Sequence, residues 1–312
     1  MSGPPIAARG LGKRYGEIVA VDSVDLTVEP GDVFGYLGPN GAGKTTSLRM
    51  MLGLIRPTEG SVELFGRDPL IDGARALDGV AGFVEGPRFY PYLSGRRNLE
   101  LLAAYDEPDS RSRIGEVLEL VDLADRAKDR VGGYSHGMKQ RLGIASALLR
   151  QPRLLLLDEP TTGLDPAGMR DMRDFVRRLA GEGITVLLSS HLLGEVEELC
   201  NRVAIVSKGA IVYEGALAEL LARASTGYRL RSTEPERARM VCLSQQGIDG
   251  VELVAGELRF QADEDAVAAL SVALGQARIG VTALVPETAS LEELFLGLTE
   301  DEPDDDAEEA VA

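Results

Sequence analysis

Short apolar runs alternate with amphipathic stretches over residues 1–222, as strands and helices do in an α/β protein. Most of these runs are continuous, which predicts strands buried on both faces of a parallel sheet. The continuous runs lie at residues 33–37, 154–157, 184–188 and 203–206. Residues 94–150 have helical spacing instead, and apolar positions alternate with polar ones near residues 24–28. The pattern therefore predicts a mixed sheet core with a β-rich subdomain and a helical subdomain.

The pattern changes between residues 223 and 299, where the segments become shorter. Strand-like pieces lie at residues 228–232, 251–254, 258–261 and 279–284, and helical pieces lie at residues 235–245, 263–275 and 290–296. We interpret this segment as a small α/β accessory domain, and we find no site chemistry in it. Residues 300–309 then contain eight acids and no base, so residues 300–312 are predicted to be a disordered, solvated tail.

Composition limits the class of protein. Apolar residues make up 44% of the 312 positions, enough for a core, and no run of about eighteen apolar residues could span a bilayer. The net charge of −17 argues against nucleic acid as a partner, since phosphate binding needs a basic surface. The start of the chain lacks the features of a signal peptide. Two distant cysteines, Cys200 and Cys242, indicate a reducing cytoplasm rather than a disulfide framework.

A phosphate-binding loop is the first candidate site. Residues 38–45 read G-P-N-G-A-G-K-T and match the loop pattern in full, between an apolar strand and a helix predicted at residues 45–54. Glycines let the backbone approach phosphate oxygens, and the N–H groups of the helix start attract their negative charge. Lys44 is expected to reach the β- and γ-phosphates, and Thr45 to complete the Mg²⁺ shell. The predicted nucleotide-binding residues here are Gly38, Pro39, Asn40, Gly41, Ala42, Gly43, Lys44, Thr45 and Thr46.

Two acids at the end of a buried strand form the second candidate. Asp158 is expected to hold Mg²⁺, and Glu159 to polarise the attacking water. An Asp-Glu-Pro sequence can also simply end a strand. The catalytic interpretation is favoured because the turn at residues 161–165 follows at once, and because His191 ends the next apolar strand.

A third segment narrows the class further. Residues 134–141 read Y-S-H-G-M-K-Q-R and lie about twenty residues before the strand that ends in Asp158. We call them the signature segment. Their serine and glycine are expected to offer a helix start, predicted at residues 138–150, to an anion. With this segment, residues 6–222 resemble the ATPase subunit of an ATP-binding cassette (ABC) transporter. The resemblance implies the ABC type of P-loop NTPase fold, followed by the accessory domain.

The same resemblance assigns roles to individual residues. It implies catalysis by Lys44, Glu159 and His191, with Mg²⁺ as cofactor. Tyr15 resembles the aromatic residue that stacks on adenine, although it also fits a half-buried strand tyrosine. Contacts with the ATP of a partner protomer are implied for Ser135, His136, Gly137 and Asp165.

Two positions depart from the family pattern. His136 replaces the first of two adjacent glycines, and Glu85, which we expect to contact ATP and Mg²⁺, replaces a glutamine. A carboxylate keeps an acceptor oxygen but adds charge and loses the amide donor. Glutamate here resembles a subgroup of bacterial exporters of antibiotics and lantibiotic peptides, as does the stretch at residues 86–99. In the family this region meets the membrane subunit, so its aromatic residues could form a docking groove or could pack inside the helical subdomain.

The function implied is that of an ATPase in which two copies enclose two ATP molecules. Hydrolysis would drive export of a small molecule or peptide through a separate membrane permease, with this chain on the cytoplasmic face of the membrane. Two alternatives are a soluble ABC ATPase acting in translation or on DNA, and an importer ATPase. A regulatory module that binds ATP without hydrolysis is disfavoured by the presence of both Lys44 and Glu159.

Overall fold

The computed structural model describes residues 3–106, 108–224, 227–287 and 291–300. The chain divides into two compact units, residues 1–216 and residues 217–312. The division falls before a helix at Leu217–Ala224, whereas the sequence pattern placed the domain boundary after residue 222. From residue 301 onward, the predicted acidic tail lies outside the described residues.

The first unit contains nine strands and six α-helices among its described residues. The strands are β1 (Ile6–Tyr15), β2 (Ile18–Val28), β3 (Val33–Leu37), β4 (Glu59–Glu63), β5 (Val80–Phe83), β6 (Leu154–Asp158), β7 (Thr185–Ser190), β8 (Arg202–Ser207) and β9 (Ala210–Ala216). The helices are α1 (Lys44–Met51), α2 (Gly95–Ala103), α3 (Ile114–Leu120), α4 (His136–Leu148), α5 (Pro166–Gly181) and α6 (Leu193–Leu199).

A six-stranded sheet with the order β5-β6-β7-β3-β8-β9 forms the centre of the first unit. All neighbouring strands are parallel except β8 and β9, which form an antiparallel hairpin. Every residue of β3, β6 and β7 is buried, as the continuous apolar runs predict. Parallel strands place their carboxyl ends at one edge of a sheet, so the residues that follow β3, β6 and β7 meet there.

A second sheet, antiparallel with the order β2-β1-β4, is formed by strands from the first part of the chain. Its inner face buries Val24, Leu26 and Val28, the alternating positions of β2. These side chains share one hydrophobic cluster with Phe34 of β3 and Leu48 of α1. Burying each such side chain contributes about 2 kcal/mol to the free energy of unfolding. Because the cluster packs β2 against β3 and α1, it also fixes the phosphate loop, which joins β3 to α1.

Helices α2, α3 and α4 form the helix-rich part that the pattern predicts for residues 94–150. Helix α4 begins at His136, because the Ser135 hydroxyl caps it by accepting a hydrogen bond of 3.2 Å from the Met138 N–H. The sequence had placed its start at residue 138. No helix among the described residues is both long and apolar enough to cross a membrane.

The second unit folds around a four-stranded antiparallel sheet with the order β11-β12-β10-β13. The elements are α7 (Leu217–Ala224), β10 (Gly227–Ser232), α8 (Pro235–Ser244), β11 (Ile248–Val254), β12 (Glu257–Ala262), α9 (Glu264–Gln276), β13 (Val281–Glu287) and α10 (Leu291–Glu300). From β10 to β13 the order is that of a ferredoxin-like βαββαβ unit. Its core includes Leu230, Phe260 and Leu270, together with Cys242, whose pKa burial raises to about 11. The predicted closing helix corresponds to α10, and Ser290 lies outside the described residues.

Candidate functional site

The phosphate loop joins the carboxyl end of β3 to the start of α1. Gly43 has a φ of 97°, in the left-handed region, and a Cβ there would lie 2.3 Å from the Ala20 carbonyl oxygen. A Cβ on Gly38 would lie 2.5 Å from the Val206 carbonyl oxygen. Only glycine fits these two positions without moving backbone. The loop can therefore lie close to neighbouring strands while its N–H groups remain near the start of α1.

Lys44 is buried inside this loop. Its ammonium donates hydrogen bonds to the carbonyl oxygens of Gly38 at 2.7 Å and Pro39 at 3.3 Å. The same Nζ lies 3.4 Å from Oε1 of Glu159. Because this cation is fixed at the centre of the loop, it provides a positive charge where phosphate oxygens would collect.

Asp158 connects three elements at the carboxyl edge of the sheet. Oδ2 accepts a hydrogen bond of 3.1 Å from Oγ1 of Thr45, and Oδ1 accepts one of 2.6 Å from Oγ of Ser189. The Glu85 N–H also points to Oδ2, at 3.3 Å. Mg²⁺ prefers hard oxygen ligands and usually takes only one or two from protein. The Thr45 hydroxyl and the Asp158 carboxylate, adjacent to the phosphate loop, fit that requirement.

Glu159 lies at the mouth of the same edge. Its Oε2 is 2.5 Å from Nδ1 of His191 and accepts a hydrogen bond of 3.0 Å from Oγ1 of Thr162. Its backbone N–H donates a 3.0 Å hydrogen bond to Oγ of Ser189, and its φ of 49° turns the chain sharply away from β6. The carboxylate is thus oriented by two neighbours, as a general base must be.

Many of the predicted site residues, although not Gly38 or Asp158, line one cleft of about 420 Å³, which we call the phosphate-loop cleft. The lining residues are Ala20, Pro39, Asn40, Gly41, Gly43, Lys44, Thr45, Thr46, Glu159, Thr162 and His191. All three residues with predicted catalytic roles, Lys44, Glu159 and His191, are among them. The structure therefore brings these three together.

Tyr15 lies at the end of β1 and is not among the lining residues. Its side chain is exposed, with a relative accessibility of 48%, and the ammonium of Lys13 is 5.0 Å from its ring centre. An exposed ring can present a face to a base. Adenine stacking by Tyr15 stays a prediction.

The residues predicted to contact a partner's ATP lie outside the phosphate-loop cleft. Ser135 and His136 are exposed at the start of α4. The His136 ring packs against Gly163, where an added Cβ would lie 3.3 Å from the ring. Asp165 caps α5, its Oδ1 accepting a 2.8 Å hydrogen bond from the Gly168 N–H. The signature segment is thus packed against the turn that follows Glu159, with Ser135 free to face outward.

Glu85 is placed differently from the other predicted ligands. Its carboxylate forms an ion pair with Arg49, a residue of α1, and only its backbone N–H reaches Asp158. Its φ of 66° makes this a strained turn between β5 and the helical subdomain. Contact with Mg²⁺ stays a prediction for Glu85, and it requires the carboxylate to leave Arg49.

Several contacts in the site involve residues to which the sequence assigned no role. Ser189 joins Asp158 to the backbone of Glu159, and Thr162 orients the Glu159 carboxylate. The sequence did contain a signal for Ser189, because this hydroxyl residue directly follows the apolar run at residues 184–188, the next such run after the one that ends at Asp158. Arg49 gave no such signal, because a basic residue near a helix end is common.

Comparisons with known proteins agree with this geometry. The ABC transporter family model matches residues 21–162. The uncharacterized ABC transporter ATP-binding protein YdbJ of Bacillus subtilis (strain 168) is 38% identical over 300 residues, which cover 96% of each chain. The bacitracin transport ATP-binding protein BcrA of Bacillus licheniformis is 46% identical, over 67% of this chain and 69% of its own. The daunorubicin resistance ATP-binding protein DrrA3 of Streptomyces coeruleorubidus is 42% identical, over 73% and 72%.

A solved structure supports the fold. The dimeric structure of MJ0796, a bacterial ABC transporter cassette, superimposes with a TM-score of 0.62 at 27% identity, covering 68% of this chain and 98% of that one. YdbJ matches nearly the whole chain, and Lys44, Glu159 and His191 line one cleft. The chain therefore belongs to the ABC transporter family, as an ATP-binding and ATP-hydrolysing subunit.

Proposed function

We propose that two copies of this chain enclose two ATP molecules and drive export of a small molecule or peptide through a separate membrane permease. One observation carries the two-copy part of the proposal. Lys44, Glu159 and His191 line the phosphate-loop cleft, whereas Ser135 is exposed at a capped helix start outside it. A helix start is an anion site, so each copy offers half of a site and needs the other half from a second copy.

Hydrolysis follows from the groups in the cleft. Lys44 and the loop N–H groups bind the phosphates, while Thr45 and Asp158 would hold Mg²⁺, which neutralises phosphate charge when bound. Glu159 accepts a proton from water, and the adjacent His191 ring holds the Glu159 carboxylate in place and can itself contact the γ-phosphate. The partner's Ser135 surface would enclose the same phosphate and exclude bulk water.

A groove beside the cleft is the proposed docking site for the permease. It has a volume of about 450 Å³ and is lined mostly by apolar residues, with Leu54, Phe83 and Pro87 among them. Glu85 also lines it, and the backbone N–H of Glu85 donates a hydrogen bond to Asp158, so the groove contacts the carboxyl end of β6 through this residue. Tyr90 and Tyr92 are exposed nearby in sequence, with ring centres 5.8 Å apart. Docking here would hold the chain on the inner face of the membrane.

Two relatives support a drug or antibiotic as cargo. BcrA and DrrA3 are named for bacitracin transport and daunorubicin resistance, and both match residues of this chain over two thirds of its length or more. An importer ATPase would use the same hydrolytic residues. Efflux measured with the permease separates the two directions.

The docking proposal predicts that Leu54→Glu disrupts the complex with the permease. Leu54 is 63% exposed and lines the groove, so a charge there would have to be buried on docking. We expect loss of co-purification with the permease and of drug resistance in cells, with basal ATPase activity kept. Ile71→Glu is the matched control, because Ile71 is 83% exposed and lies outside the groove. Equal co-purification of both variants would contradict docking at this groove.

A further prediction concerns the unusual glutamate. Glu85→Gln should keep basal ATPase activity within about fivefold, because an exposed ion pair such as Arg49–Glu85 contributes about 1 kcal/mol or less. It should reduce efflux, because Glu85 lies between Asp158 and the docking groove. The paired measurement is the ATPase rate of the purified subunit and efflux with its permease. Equal efflux in mutant and wild type would mean that the carboxylate has no role in coupling.

A further inference from the structure

Two chain segments at the carboxyl edge of the sheet are joined at two points. In the cleft, Nδ1 of His191 lies 2.5 Å from Oε2 of Glu159. Behind it, Oγ1 of Thr161 donates a hydrogen bond of 2.6 Å to Oε2 of Glu195. Residues 159–161 follow β6, and residues 191–195 run from the end of β7 into α6. The two contacts and the two segments thus form a closed ring.

The second contact is buried. Thr161 is 5% exposed and Glu195 is 9% exposed. Burial raises the pKa of the Glu195 carboxyl, and the hydrogen bond from Thr161 and the positive charge of Arg173 act in the opposite direction. Oε1 of Glu195 has no hydrogen-bond partner among the residues that the structure describes.

A buried, partly unpaired carboxyl group costs free energy that an apolar pair at the same place would not. Packing alone therefore does not explain this residue type. Its location does offer an explanation, because Glu195 lies on α6, which begins two residues after His191, and its partner Thr161 lies two residues after Glu159.

We propose that Glu195 is a positioning residue for hydrolysis, holding His191 beside Glu159 through its hydrogen bond to Thr161. This inference rests on the proposed roles of Glu159 and His191. Without the Thr161 contact, α6 can move relative to the Glu159 turn and the His191–Glu159 contact loosens. Lys44 and the phosphate loop are not part of the ring, so ATP binding is kept.

Thr161→Val is the direct test, since it keeps the side-chain shape and removes the donor. A small misplacement of catalytic groups can lower a rate by tenfold to a hundredfold. We therefore expect kcat of the full chain to fall by about tenfold or more, with KM for ATP within about twofold. Thr161→Ser restores the hydroxyl and should restore kcat.

Thr185→Val is the matched control. Thr185 is 2% exposed and lies at the opposite, amino end of β7, where its Oγ1 accepts a 3.0 Å hydrogen bond from the Gly31 N–H. It should lower the thermal midpoint as Thr161→Val does while leaving kcat unchanged. Equal loss of kcat in both variants would show a general effect of buried hydrogen bonds and would overturn the inference.

A double mutant tests whether the effect passes through His191. In a His191→Ala background, Thr161→Val should lower kcat no further. If the losses in kcat of the two single variants multiply in the double mutant, Thr161 acts independently of His191 and the inference is wrong. Unchanged kcat in His191→Ala alone would instead refute the proposed role of His191 itself. An unchanged kcat in Thr161→Val beside a large loss in His191→Ala would refute the inference alone.

Discussion

Replacing Glu159 with glutamine should leave ATP binding intact, lower turnover by roughly a hundredfold or more, and accumulate an ATP-bound two-copy state. The amide keeps the size of the side chain and can still accept a hydrogen bond from Thr162. It cannot take a proton from water, and its contact with Nδ1 of His191 no longer involves a negatively charged oxygen. Hydrolysis is therefore blocked after the site has formed.

The measurements are phosphate release, equilibrium binding of a fluorescent ATP analogue, and the molecular mass in solution with and without ATP. Glu116→Gln is the control for the change in charge, because Glu116 is exposed on α3 and distant in sequence from every residue of the cleft. Hydrolysis by Glu159→Gln at near the wild-type rate would show that another group is the base. A mass that stays monomeric with ATP would speak against the two-copy site.

The elements that hold the site could be predicted because their causes are local. The apolar runs of β3, β6 and β7 and the glycines at positions 38 and 43 determine buried strands and a tight loop wherever they occur. The cap pair Asp165-Pro166 likewise is a local signal, because an acid at the cap and a proline in the first turn begin a helix, here α5. These features placed Lys44, Asp158, Glu159 and His191 at one edge of one sheet.

Contacts between distant side chains could not be predicted in the same way. The Glu195–Thr161 hydrogen bond and the Arg49–Glu85 ion pair join residues 34 and 36 positions apart. Both depend on how a helix is set against a strand end, which no local pattern encodes. The predicted start of α4, at residue 138, was two residues too late, because the cap at Ser135 begins the helix at His136. The roles of all these residues remain predictions.

The second large effect is expected from variants on opposite halves of the proposed site. Lys44→Ala should weaken ATP binding, because one buried cation facing two phosphates is removed. Ser135→Arg should bind ATP normally but fail to hydrolyse it, since a bulky side chain at the exposed start of α4 obstructs only the one site of the partner copy that it faces. Each variant alone should therefore be nearly inactive, for different reasons.

Mixing these two variants should restore ATPase activity. In a mixed dimer both defects fall in the same site, so the other site combines an intact Lys44 with an intact Ser135. Random exchange of C₂-related subunits leaves about a quarter of all sites intact. The control mixture is Lys44→Ala with Glu159→Gln, in which each site contains one defect because both residues line the same cleft. We expect ATPase activity in the first mixture and none in the second. If neither mixture hydrolyses ATP although mixed dimers form, Ser135 does not complete the site of a partner.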